Sequence, residues 1–118
     1  MPTSPKTIVL IENNSLMLEL YQRELGKVFR VLAYSDTNNL LNILQAQPIS
    51  ALILATEPLP EKDLKLIRDA KLGAFLPIIL CSAQDARKLA LEVNAAACLL
   101  KPVSPATLLE ILDQVFKK

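Results

Sequence analysis

The sequence predicts an α/β fold: a doubly wound, five-stranded parallel sheet with five helices distributed over both faces. Three observations lead there. Five short apolar runs alternate strictly with five segments of helical periodicity, the order that builds a parallel sheet by βα repetition. The apolar runs are continuous rather than alternating, as strands covered on both faces require. The connections are short, and right-handed crossovers then place helices on either side of the sheet.

Thr7 to Ile11 is the first strand, continuously apolar and β-branched. Asn14 or Ser15 can cap the helix that follows, which turns Leu16, Leu20, Tyr21 and Leu25 inward and is closed by Gly26 at the C′ position. Val28 to Ala33 is the second strand. Asp36 or Thr37 starts a helix with Leu40, Leu41 and Leu44 inward, ending before Pro48. Ala51 to Ala55 is the third and most apolar strand. Glu57-Pro58-Leu59-Pro60 must be a loop, because its two prolines lack donors for a ladder or a helix interior. A helix from Glu61 to Leu72 buries Leu64, Ile67 and Leu72 and stops at Gly73, while Lys62, Lys65, Arg68, Asp69 and Lys71 form its solvated face. Pro77 opens the fourth strand, Ile78 to Cys81. A short helix, Ala86 to Val93, leaves through Asn94 in the left-handed conformation. Ala97 to Leu100 is the fifth strand. The last helix has Ser104 as N-cap, Pro105 at N1, and a buried stripe of Leu108, Leu109, Ile111, Leu112, Val115 and Phe116.

Composition narrows the function. A chain of 118 residues suits a single domain, with its core over about residues 6–117. The apolar share of 52% excludes a disordered tail, and no apolar run approaches the roughly 18 residues of a membrane span. Thirteen basic against twelve acidic residues give no electrostatic case for nucleic acid or for a membrane surface. The absence of histidine excludes Ser-His and Cys-His catalysis, His-based zinc sites and a phosphohistidine carrier. Two glycines leave no room for a P-loop or a dinucleotide turn, and five aromatic residues without Trp make a poor base-stacking platform. Cys81 and Cys98 have no metal or redox spacing and read as reduced core thiols. The run Ile8 to Ile11 is too short for a signal peptide, so a cytoplasmic location is expected.

Ligands of doubly wound sheets sit at the C-terminal strand ends. Here that crevice collects Glu12, Asn13, Thr56, Glu57, Ser82, Ala83 and Lys101. At these positions the chain resembles, over almost its whole length, the receiver domain of bacterial response regulators of the single-domain chemotaxis-regulator type. Leu99-Leu100-Lys101-Pro102-Val103 looks like the family's strand-5 lysine and the proline after it, typically joined by a cis bond. Leu59-Pro60 followed by Asp63 resembles the loop after the phosphoacceptor strand. Cys81-Ser82-Ala83 resembles the strand-4 end, where a Ser or Thr reads the phosphoryl group, and Ile8 to Asn13 falls where the family has an apolar strand ending in an acidic pair. The resemblance implies a flavodoxin-like receiver fold with strand order 2-1-3-4-5.

The chain departs from the family where the chemistry lies. Counting back from Leu59-Pro60 puts Thr56 at the position of the phosphorylated aspartate. The acidic pair is Glu12-Asn13, the switch-aromatic position is Cys98, and Leu64 replaces a glycine. An aspartate, with a reference pKa of about 3.9, is ionised at neutral pH and attacks a phosphoryl donor unaided. A threonine hydroxyl needs a positioned general base, for which Glu12 is the one nearby candidate. Mg²⁺ favours near-octahedral oxygen ligands including carboxylates, so Mg²⁺ binding is expected to be weak or absent, with no other metal or cofactor. A Glu12–Lys101 ion pair is expected, with the Thr56 and Ser82 hydroxyls beside it and Glu57 pointing away by strand alternation; a Ser82 hydroxyl bonded to backbone is an equal alternative.

The expected function is that of a pseudo-receiver, a non-enzymatic signalling module of a two-component phosphorelay system that acts by phosphorylation-independent protein–protein interaction. The resemblance implies a protein partner, a sensor kinase or an output protein, on the Asp85–Glu92 helix, the fifth strand and the last helix. The alternatives are a phosphorylatable response regulator with an atypical acceptor and a flavodoxin-like small-ligand-binding domain. The latter calls for a phosphate-cradling loop after strand 1, where Glu12-Asn13-Asn14-Ser15 makes a poor anion nest. A DNA-binding regulator would call for a basic output domain.

Overall fold

A computed structural model describes residues 5–117. Residues 1–4, where the segment read for a targeting signal begins, and Lys118 lie outside the described residues. Five strands, β1 (Thr7–Ile11), β2 (Arg30–Tyr34), β3 (Ala51–Leu54), β4 (Ile78–Ser82) and β5 (Ala97–Leu100), form one sheet in the order β2-β1-β3-β4-β5, and every pair is parallel. The helices are α1 (Ser15–Leu25), α2 (Leu40–Ala46), α3 (Glu61–Asp69), α4 (Arg87–Glu92) and α5 (Pro105–Phe116).

The continuous apolarity of the strands is explained by two cores, one on each face. Ile8 and Leu10 of β1 and Ile53 of β3 pack with Tyr21 and Leu25 of α1 and Leu108 and Leu112 of α5. Val9 and Ile11, with Leu52 and Leu54, point the other way onto Leu40 of α2, Leu64 and Ile67 of α3, and Val93. Successive residues of β1 and β3 thus feed opposite cores, and each buried Leu or Ile contributes about 1.5–3 kcal/mol relative to exposure.

The local caps act as the sequence suggests at several ends. Asn14 accepts the Met17 N–H over the start of α1, and Ser104 accepts the Thr107 N–H over α5, with Pro105 in its first turn. Asn94 takes φ 56° where α4 gives way to β5. Elsewhere the structure corrects the sequence reading. Leu16 is 76% exposed because it lies in the first turn of α1, away from the stripe that buries Tyr21 and Leu25. Gly26 caps α1 in the right-handed region, φ −65°, since the chain continues the turn with the Val28 and Phe29 N–H groups both donating to the Leu25 carbonyl. That turn carries an exposed Val28 past the sheet, so β2 begins at Arg30 rather than at Val28. Neither Asp36 nor Thr37 starts α2. Thr37 instead donates its hydroxyl hydrogen bond to Asp63 on α3, and the helix begins after Asn39, at φ 61°. The third helix ends at Asp69, and Leu72–Ala74 form a separate 3₁₀ turn after Lys71 at φ 56°. Gly73 is required there by close packing: a Cβ would overlap the Val93 carbonyl oxygen, and Asn94 Nδ2 donates to the Gly73 carbonyl at 3.3 Å.

Candidate functional site

The ladder runs one residue beyond the strands at their C-terminal ends. Glu12 N–H donates to the Tyr34 carbonyl, Ala55 N–H to that of Ile11, and Lys101 N–H to that of Ser82. These bonds set the backbones of Glu12 and Ala55 side by side, with Lys101 two strands further along the same end of the sheet. The Lys101–Pro102 and Glu57–Pro58 peptide bonds are cis.

Lys101 is the centre of the polar cluster. Its Nζ donates to the Ala55 carbonyl and lies 3.4 Å from Glu12 Oε2 and 3.4 Å from Glu57 Oε1. The Glu12 side chain is only 1% exposed, and its Oε1 accepts the Asn14 N–H at 3.0 Å, so both its oxygens are engaged. A carboxylate so removed from water is tolerated because an ammonium and a backbone donor face it.

Glu57 contradicts the expectation that it points away. Regular pairing in β3 ends at Leu54, so alternation along a strand no longer governs a residue three positions later. The Glu57 backbone is held by the Asn13 side chain, which donates from Nδ2 to the Glu57 carbonyl at 2.8 Å and accepts its N–H at 3.0 Å. Its carboxylate accepts the Ala83 N–H at 2.6 Å and turns toward Lys101.

The two hydroxyls behave differently from the lysine and carboxylates. Ser82 Oγ accepts the Gln84 N–H at 3.1 Å, an intra-loop bond that satisfies the β4–α4 turn rather than the ion pair. Thr56 is 6% exposed, and its Oγ1 has no hydrogen-bond partner among the described residues. The expectation of both hydroxyls beside the Glu12–Lys101 pair is therefore corrected: the ammonium is already served by two carboxylates and a carbonyl.

A cleft of about 620 Å³ opens beside the cluster, lined by Glu12, Asn13, Met17, Tyr21, Glu57 and Lys101 among others. The Tyr21 hydroxyl donates to the Val103 carbonyl at 2.6 Å and ties α1 to the segment after the lysine. Burial, with Cys81 and Glu12 nearby, pushes the Tyr21 phenol up to about 12. Burial likewise pushes the Cys81 thiol up to about 12, against the opposing pull of the Lys101 ammonium. Cys81 and Cys98 are both free; Cys81 is buried and packs on the α1/α5 face, and Cys98 is half-buried on the other. Sequence reasoning placed Glu57 in the crevice but turned its side chain away from Lys101, and it missed Tyr21 as a member of this cluster. Tyr21 was legible only as a core residue of α1, and the Asn13 and Ala83 contacts of Glu57 span separations of 44 and 26 residues.

No protein-family model matches the chain, and no curated protein matches it by sequence. Solved structures do. A receiver domain protein from Methanospirillum hungatei superposes with a TM-score of 0.82 at 20% identity, covering 97% of this chain and 95% of that one. The chain has the receiver fold. The receiver domain of the TMAO respiratory system response regulator TorR gives a TM-score of 0.80 at 22% identity, covering 96% and 98%. A chemotaxis response regulator of Vibrio cholerae gives a TM-score of 0.78 at 20% identity, covering 95% of this chain and 99% of its own.

Proposed function

We propose that this chain is a pseudo-receiver: a non-enzymatic module of a two-component type signalling system, located in the cytoplasm, that works through protein contacts without aspartyl phosphorylation. The observation that carries this reading is the state of Thr56. It occupies the position that the receiver resemblance assigns to the phosphoacceptor, and its buried hydroxyl meets no base among the described residues. Glu12, the one candidate base expected, has its oxygens committed to the Asn14 N–H and to Lys101. A neutral hydroxyl without a base is a poor nucleophile at neutral pH.

The donor set also argues against Mg²⁺. The two carboxylates of the cluster, Glu12 and Glu57, both face the Lys101 ammonium. Among the described residues, no cluster of three or more Cys, Asp or Glu side chains could hold a metal ion. These residues do not fit an octahedral oxygen site.

A sensor kinase or an output protein is the partner that this reading implies, docking on the Asp85–Glu92 segment, β5 and α5. Two large apolar side chains on those elements, Leu91 and Leu100, stand 84% and 67% exposed. Between α4 and β5 lies a cleft of about 310 Å³ bounded by Asp85, Arg87, Cys98 and Leu100. Cys98 offers a small, half-buried thiol at the position where the receiver resemblance implies a switch aromatic. Among the described residues no helix is long and apolar enough to cross a membrane.

The direct test is incubation with acetyl phosphate and Mg²⁺, followed by intact-mass measurement. No stable phosphoryl adduct is expected, and a stoichiometric adduct would overturn the reading.

A further inference from the structure

Four chain segments meet at the carboxyl end of the sheet, and Glu57 joins its own to the other three. Its backbone is doubly bonded to the Asn13 side chain beyond β1. Its Oε1 accepts the Ala83 N–H beyond β4 at 2.6 Å and lies 3.4 Å from Lys101 Nζ beyond β5. The Glu57 side chain is 34% exposed, whereas that of Glu12 is 1% exposed, so the two carboxylates approach the lysine from different environments.

A backbone N–H and an ammonium that converge on one oxygen are the donors of an anion seat, and such seats lie at the carboxyl ends of open α/β sheets. The two donors come from different strand ends. Any anion bound between them therefore fixes the connection from β4 to α4 against β5. In this chain that anion is a side chain.

We propose that Glu57 is a tethered anion filling an oxyanion seat formed by the Ala83 N–H and Lys101 Nζ, so that the β4–α4 connection is fixed against β5 with no free ligand. The inference deepens the pseudo-receiver reading by giving it a constitutive state, and it rests on that reading for this consequence alone. Tethering raises the effective concentration of the carboxylate at the seat to the millimolar range or above, so a free anion competes poorly while Glu57 is present. Once the carboxylate is removed, an inorganic oxyanion reaches the same two donors, with Lys101 still paired to Glu12.

The test uses ¹⁵N-labelled protein and inorganic phosphate. Wild type is expected to show no saturable shift at the Ala83 amide or the Lys101 side chain up to tens of millimolar phosphate at constant ionic strength. Glu57→Ala is expected to show a saturable shift at both, and before phosphate is added its Ala83 amide should exchange about tenfold faster, because a charge-assisted acceptor is gone. Glu57→Gln keeps the shape and removes the charge, so phosphate should bind it more weakly than Glu57→Ala but measurably better than wild type. Saturable phosphate binding by wild type at Ala83 overturns the proposal without need of any variant. So does a Glu57→Ala protein whose Ala83 exchange and phosphate response match wild type. A phosphoryl adduct of wild type with acetyl phosphate would instead overturn the pseudo-receiver reading and leave the seat standing, which keeps the two failures distinct.

Discussion

Lys101→Met removes the ammonium from between Glu12 and Glu57. The cost falls mainly on Glu12, which is 1% exposed and would keep only the Asn14 N–H as a donor. Breaking a fully buried pair costs about 3–5 kcal/mol. Lys101 itself is 18% exposed, so water reaches part of the site, and the low end, about 3 kcal/mol, is expected. Glu57 adds little, since at 34% exposure its carboxylate is rehydrated. The reverse change, Glu12→Gln, leaves Lys101 with Glu57 and the Ala55 carbonyl. It should cost less, about 1.5–2 kcal/mol, the low end for a hydrogen bond to a charged group. In the double variant no unpaired charge remains at position 12, so its loss should fall short of the sum by about 1–2 kcal/mol. Urea denaturation of the four proteins at neutral pH measures this coupling, provided the m-value is common to all. Losses that add to within about 0.5 kcal/mol would refute the reasoning, because residues that do not interact behave that way.

Thr56→Val replaces a buried hydroxyl that has no partner among the described residues with a methyl of similar shape, and it should leave stability unchanged or raise it by about 1 kcal/mol; a clear loss in the same assay would show that Oγ1 has a partner in solution. Stability should fall in alkali. The Cys81 thiol is raised from 9.0 to about 12 and the Tyr21 phenol from 10.0 to about 12 by burial, so the unfolded chain releases these protons first. The contribution is complete below about pH 9 and is lost as pH rises toward 12, with a slope of up to about 1.4 kcal/mol per pH unit for each group. Denaturation midpoints from pH 7 to pH 10.5 test this, and Cys81→Ala should remove the part that sets in earliest; a flat profile would contradict it. Millimolar Mg²⁺ should leave the amide spectrum nearly unchanged, whereas saturable shifts at Glu12, Asn13 and Thr56 would reveal a working metal site.

The elements that were legible in the sequence are those whose signals are local. Thr7–Ile11 is a largely apolar run between Lys6 and Glu12, and Ala97–Leu100 is one that ends at Lys101, and the structure pairs those very residues in the sheet. Asn14 and Ser104 cap helices through bonds three residues long, which a short sequence window contains. The parallel arrangement of the strands followed from strict alternation, because a βα unit with a short connection has few other ways to bury both faces of its strand, while their order was what the resemblance implied. The Glu12–Lys101 pair was also legible, since both residues directly follow strands that finish at the same end of the sheet, within reach of a long lysine side chain.

What tertiary structure decided depends on partners distant in the chain. Thr37 was a plausible cap until Asp63 took its hydroxyl, and the start of α2 moved to Leu40. Gly73 read as a helix stop, but the requirement for glycine comes from the Val93 carbonyl of another element. Glu57 lies beyond the last paired residue of β3, where the two-residue period no longer constrains a side chain, and Asn13, Ala83 and Lys101 determine its direction. Periodicity and capping encode which residues face a core, because those preferences act over a few bonds. The meeting of one residue with partners from three other strand ends, its backbone with Asn13 and its carboxylate with Ala83 and Lys101, is set only when the sheet closes around it.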